Sequence, residues 1–191
     1  RDAIFYVPLG VGSYLKRWGV SSERISEFDW WDEALLGGGH RLIAAPARHF
    51  SGRLGPLQKD NTLWASWIIV GPAHRVYFGG DSGYHPGFKE IGDRHGPFDI
   101  TMLEIGAYHP NWGDIHLGPE NALRAHRDLR GRALMPIHWG TFQLALHGWT
   151  EPAEEVRAGA KELGIPLIMP VPGRKVDGIA EAADSGWWMK I

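Results

Sequence analysis

Apolar residues fall into short runs punctuated by glycine and proline, and the period of each run predicts an element. Ala3-Ile4-Phe5-Tyr6-Val7 reads as a strand, and residues 11–18 as a short helix that Gly19 stops. Ile25 to Leu36 alternates loosely and predicts strand. Arg41-Leu42-Ile43-Ala44-Ala45 is a strand leading to His49. Leu63 to Val70 is apolar, aromatic and β-branched until Gly71-Pro72 breaks it. Arg75-Val76-Tyr77-Phe78 then returns, which predicts an antiparallel pair.

Helical spacing enters later. Pro86 to His95 puts Phe88 and Ile91 on one face and ends at Gly96-Pro97. Ile100 to Ile105 is a strand. Pro119-Glu120 opens a helix carrying Ala122, His126 and Leu129, which Gly131 stops. Ala133-Leu134-Met135-Pro136-Ile137 is a buried strand ending at His138. Thr150 is placed to cap a helix running to Leu163. Leu167-Ile168-Met169 reads as a core strand, and Trp187 to Ile191 as one more. The order predicts an α/β unit spanning residues 1–191, with helices packed on one face of a sheet.

The formal charge of -2 leaves no basic footprint for nucleic acid. No apolar stretch approaches the ~20 residues that cross a bilayer, and the first residues carry no basic-then-apolar signature of a secretory signal. Cysteine is absent, so any metal must be held by His, Asp and Glu. The 10 tryptophans exceed what a core of this size requires. Most are expected between layers, with Trp30, Trp31, Trp112 and Trp139 as candidates to line an apolar substrate cleft.

Three strings place a ligand-type residue just beyond an apolar strand: Arg48-His49-Phe50, Gly79-Gly80-Asp81-Ser82-Gly83 and Ile137-His138-Trp139-Gly140. Each residue has an ordinary alternative: a loop histidine bonded to a carbonyl, a turn aspartate, a buried histidine with one hydrogen bond. Together they predict a metal site made of His49, Asp81 and His138. His116 lies in a loop before a helix N-terminus and is a candidate for substrate contact or proton transfer. His109 and His147 are weaker candidates for the cleft rim, while His126 and the remaining histidines read as surface or partly packed residues. Arg48 and Arg53 are candidates to meet a phosphate. No Gly-x-Ser-x-Gly elbow, phosphate-cradling loop or dinucleotide fingerprint occurs.

At these residues the chain resembles the metallo-β-lactamase superfamily, in particular its N-acyl-phosphatidylethanolamine-hydrolysing phospholipase D-like branch. The strings that carry the resemblance are Pro46-Ala47-Arg48-His49-Phe50, Asp60-Asn61-Thr62-Leu63-Trp64-Ala65-Ser66-Trp67, Gly80-Asp81-Ser82-Gly83-Tyr84, Gly96-Pro97-Phe98-Asp99-Ile100, Ile105-Gly106-Ala107-Tyr108 and Ile137-His138-Trp139-Gly140-Thr141-Phe142. The resemblance implies an αββα sandwich with two metal ions, usually zinc. In it His49 completes the first ion's ligand set, Asp81 bridges the two ions and His138 completes the second set. His116 stands near the substrate phosphate. The implied reaction is hydrolysis of a phosphodiester or related ester by a water that the paired metals activate, with Asp81 and His116 as catalytic residues and Ser82 or Thr141 orienting the ligands.

The superfamily's His-x-His-x-Asp-His motif does not occur in these 191 residues. The expectation is therefore the C-terminal half to two-thirds of the fold, inactive unless its N-terminal portion is supplied. The expected partners are a small-molecule or lipid ester, that missing portion and a second copy of the chain. The expected location is cytoplasmic, with contact at a membrane surface compatible with a lipid substrate. Two competing readings are a non-catalytic partial domain that pairs with another chain and an aromatic-rich module for carbohydrate or lipid. Lactone or other ester hydrolysis within the same superfamily is a further alternative.

Overall fold

Six strands form one mixed sheet in the order β3-β4-β5-β6-β7-β8: Glu33–Leu36, His40–Pro46, Ala65–Val70, Arg75–Phe78, Phe98–Glu104 and Gly131–Ile137. The computed structural model describes residues 3–52, 59–176 and 185–190. Strands β3 to β6 pair antiparallel, and β6, β7 and β8 pair parallel. Parallel neighbours need a crossover. Helices α2 (Gly87–His95) and α3 (Gly118–Asp128) supply the two that the parallel half requires. Two antiparallel steps make β4 point the same way as β6. The ends of β4, β6, β7 and β8 therefore all open on one edge of the sheet, and this positions the site.

Alternation along the strands gives the sheet two different faces. Ile43, Ile68, Tyr77, Leu103 and Leu134 join Phe88 and Ile91 of α2, Leu129 just past α3, and Val156 of α4 (Glu151–Leu163) in one buried core. The opposite face carries Trp67, Val76, Ile100, Met102 and Met135, half-buried, with Ile69 and Phe78 exposed. A separate parallel pair joins β1 (Phe5–Pro8) to β2 (Ile25–Phe28), with α1 (Val11–Arg17) between them.

Four elements depart from the sequence pattern. The Ile25–Leu36 stretch is two strands in different sheets, because the chain turns at Asp29–Asp32, where Trp31 adopts φ 76°. Leu167-Ile168-Met169 makes one parallel bridge to Leu134 rather than a strand, although Ile168 and Met169 are buried. Trp187–Lys190 is a turn of 3₁₀ helix, not a strand. Trp187 and Trp188 pack on Trp139, and Trp187 also on Trp149, so aromatic packing takes the place of strand pairing. Thr150 precedes α4 but offers no side-chain cap; its carbonyl accepts from Ala153 and Glu154 instead. Among the described residues no helix is long and apolar enough to cross a membrane.

Candidate metal centre

Four loops leave the shared edge of the sheet, and each brings a ligand-type side chain. His49 follows β4, Asp81 follows β6, Glu104 is the last residue of β7, and His138 follows β8. Open parallel sheets characteristically build sites beyond the carboxyl ends of their strands. Ladder register fixes the last two: Glu104 pairs with Ile137, so His138 stands one residue beyond it.

His138 Nε2 lies 3.5 Å from Asp81 Oδ1, and its Nδ1 lies 3.4 Å from Glu104 Oε2. His116 Nδ1 bonds Glu104 Oε2 at 2.6 Å. The His116 ring sits between the other two histidines. It stacks on His138 at 5.4 Å between centroids and meets His49 edge-on at 5.2 Å. Of the five site residues expected from the sequence, His49, Asp81, His116 and His138 lie together here, and Trp139 lines a cleft beside His138.

Backbone geometry holds the loops close. Gly83 donates to Arg48 O at 2.7 Å, and Arg48 N donates to Ser82 Oγ at 3.0 Å, which ties the His49 loop to the Asp81 loop. A Cβ on Gly83 would fall 1.6 Å from Asp114 O, so only glycine lets the loop carrying His116 pass. His138 itself adopts φ 61°, a left-handed conformation disfavoured for a residue with a side chain. Strain of this kind persists where the surroundings over-determine it.

Glu104 was not legible as a site residue from the strand pattern. Its signal was there: a carboxylate within the apolar run Met102-Leu103-Glu104-Ile105, where charge is rare unless paired. It is fully buried and accepts from Ser82 N and Leu117 N as well as facing the two imidazoles. Burial alone would lower the His116 pKa; the Glu104 hydrogen bond and the Glu104 and Asp81 charges overcome it and raise the pKa above the ordinary value.

The other candidates divide between the site's border and places away from it. Trp31 stacks on His95 and under Arg94, away from the site, and Trp30 Nε1 donates to Trp64 O. Trp112 packs near His109, whose ring accepts from Asn111 N. Trp139 donates to Pro136 O and lines a narrow cleft beside His138 with Gly106, Ala107, Phe142 and Trp149. His147 accepts from Ala107 N at 3.0 Å and so braces the loop after β7. His126 is a core residue rather than a surface one. Arg48 pairs with Asp114 at 3.2 Å, and Arg53 lies outside the described residues. Ser82 is buried within the loop network, whereas Thr141 is exposed.

The donor set suits a cation. His49 Nε2 is buried without a hydrogen-bond partner, an expensive arrangement for an imidazole nitrogen, and His138 Nδ1 makes no hydrogen bond beyond its 3.4 Å approach to Glu104 Oε2. Among the described residues, the three ligand-type side chains whose donor atoms lie within 4.8 Å of one another are Glu104, His116 and His138; the expected trio of His49, Asp81 and His138 is not drawn together as tightly. Nitrogen and oxygen donors without sulfur fit zinc and related divalent ions.

Comparison with known proteins places this arrangement. The chain is 49% identical over 191 residues to an uncharacterized protein of Mycobacterium tuberculosis (strain ATCC 25618 / H37Rv), covering 98% of this chain and 50% of that protein. It is 35% identical over 168 residues to N-acyl-phosphatidylethanolamine-hydrolyzing phospholipase D 1 of Caenorhabditis elegans, covering 83% of this chain and 46% of that protein. The chain spans about half the length of these curated relatives. In fold it resembles Igni18, a metallo hydrolase of Ignicoccus hospitalis, with a TM-score of 0.68 at 22% identity over 91% of this chain and 68% of that one. The family model described as a beta-lactamase superfamily domain matches residues 1–139, which include every one of the converging side chains. The chain belongs to the metallo-β-lactamase superfamily.

Proposed function

We propose that the protein is a metal-dependent hydrolase whose substrate is a phosphodiester or closely related ester, with zinc as its metal. The observation that carries this reading is the convergence of His49, Asp81, His116 and His138 around the buried Glu104 carboxylate. His49, Asp81 and His138 would hold the metal. When bound, the metal supplies Lewis acidity and lowers the pKa of water at the centre toward neutrality.

The chain's own residues do the rest. His116 Nδ1 is engaged by Glu104, so its opposite nitrogen is the one that gives or takes a proton at the substrate. Trp139 and Phe142, in the cleft beside His138, offer an apolar wall for the part of the ester that does not react. The sequence relation to the Caenorhabditis elegans phospholipase D favours a phosphodiester over a lactone.

The test is hydrolysis of bis(4-nitrophenyl) phosphate and of a simple lactone, with and without zinc, by this chain alone and joined to the other half of its curated relatives' length. Zinc-dependent cleavage of the phosphodiester, removed by chelation and abolished by Asp81→Ala, is expected. Zinc-dependent cleavage of the lactone alone would overturn the substrate class. No zinc-dependent turnover of either by any folded form would overturn the reading.

A further inference from the structure

Glu104 holds its position through four contacts, and they divide cleanly between its two oxygens. Oε1 accepts from Ser82 N at 2.7 Å and from Leu117 N at 3.2 Å, the backbones of the loops that carry Asp81 and His116. Oε2 faces imidazoles: His116 Nδ1 at 2.6 Å and His138 Nδ1 at 3.4 Å. A carboxylate oxygen can only accept, so the short contact requires a hydrogen on His116 Nδ1. The Nε2 edge lies across each ring from Nδ1. For His138 that edge faces Asp81 Oδ1, and the His116 ring is within 18° of parallel to it.

Two roles are open to a carboxylate in this place. As a metal ligand it would have to turn Oε2 away from His116, while Oε1 already takes two backbone donors. As an outer partner it needs to move nothing. Metal-binding histidines commonly donate their second ring nitrogen to a carboxylate that fixes tautomer and ring orientation.

We propose that Glu104 is a positioning residue: one oxygen holds His116 Nδ1 by a short hydrogen bond and faces His138 Nδ1, which leaves Nε2 of His116 free of the carboxylate and turns Nε2 of His138 toward Asp81. Its other oxygen locks the two loops in register with those rings. This rests on the reading of the site as a metal centre, but its primary test does not require activity.

The test is a multiple-bond ¹⁵N–¹H spectrum of the histidine-labelled, zinc-free protein, recorded above the pH at which imidazoles are charged. The His116 signals are assigned from their loss in His116→Ala. The wild type is expected to show His116 as the Nδ1–H tautomer. In Glu104→Gln the amide oxygen stays on the Ser82 and Leu117 donors, and its NH₂ then faces the rings. His116 is expected to switch to Nε2–H, and zinc affinity to fall about 10- to 100-fold. Glu104→Asp keeps an acceptor and should retain the wild-type tautomer with a smaller loss of affinity.

An Nε2–H tautomer for His116 in the wild type overturns the proposal without any variant. So does an unchanged tautomer in a folded Glu104→Gln protein. If Glu104→Gln does not fold, the wild-type spectrum decides alone. The tautomer result stands whether or not the protein hydrolyses an ester, so failure of the hydrolase reading and failure of the Glu104 role are separable.

Discussion

Lowering the pH should weaken the fold through one buried residue, His126. Its side chain on α3 is 2% exposed, and its Nδ1 lies 2.7 Å from Thr101 Oγ1. Burial lowers its pKa from 6.5 to about 4. Between those values the unfolded chain binds a proton that the folded protein refuses, so folding stability must fall as pH falls. The contribution is fully present above pH 6.5 and is lost progressively down to about pH 4. At about 1.4 kcal/mol per pKa unit, the full loss is about 3 kcal/mol, of which about 2 kcal/mol is gone by about pH 5. Carboxylates also titrate in this range, so the assay is a difference: urea unfolding of the wild type and of His126→Gln, each at neutral pH and near pH 5. The variant should be less stable at neutral pH yet lose about 2 kcal/mol less on acidification. Parallel losses in the two proteins would refute the reasoning, because the pH dependence would then lie elsewhere.

Other substitutions probe the packing and the loops. Gly83→Ala drives a methyl into Asp114 O, so the Asp81 and His116 loops must part; a drop in thermal midpoint with weakened zinc binding is expected, and wild-type values for both would contradict the close approach. Leu103→Ala empties a fully buried site facing the helices and should cost about 2–5 kcal/mol in urea unfolding. Ser82→Ala removes the hydroxyl that accepts from Arg48 N and should cost about 1 kcal/mol or more, whereas Thr141→Ala, at an exposed residue, should stay within about 0.5 kcal/mol and leave zinc affinity unchanged.

The readable parts of the sequence were those governed by local chemistry. Gly71-Pro72 between two runs rich in β-branched and aromatic residues announced the β5–β6 hairpin, and Phe88 and Ile91 announced the buried face of α2. His49, Asp81 and His138 stood out because each sits just past an apolar strand, and the direction shared by those strands brings them to one edge. What was not readable depends on distant partners. Glu104 looks like an ordinary charge at a strand end until the loops at Ser82 and Leu117 close over it. His126 reads as a surface or partly packed helix residue, and its full burial shows only once Thr101 and Gly131 are packed against it. Trp187 and Trp188 have strand-like composition, but Trp139 and Trp149 supply aromatic surfaces in place of a strand neighbour. Trp31 looks like a cleft residue and instead packs on His95 and Arg94 of α2.

The convergence of two or more imidazoles and a carboxylate on a shared cation is tested most directly by anomalous diffraction at the zinc edge from zinc-soaked crystals. A peak is expected within about 2.0–2.2 Å of His138 Nε2 and of an Asp81 carboxylate oxygen, at the edge where β4, β6, β7 and β8 end. An ordered zinc bound elsewhere, with His138 and Asp81 uncoordinated, would contradict it.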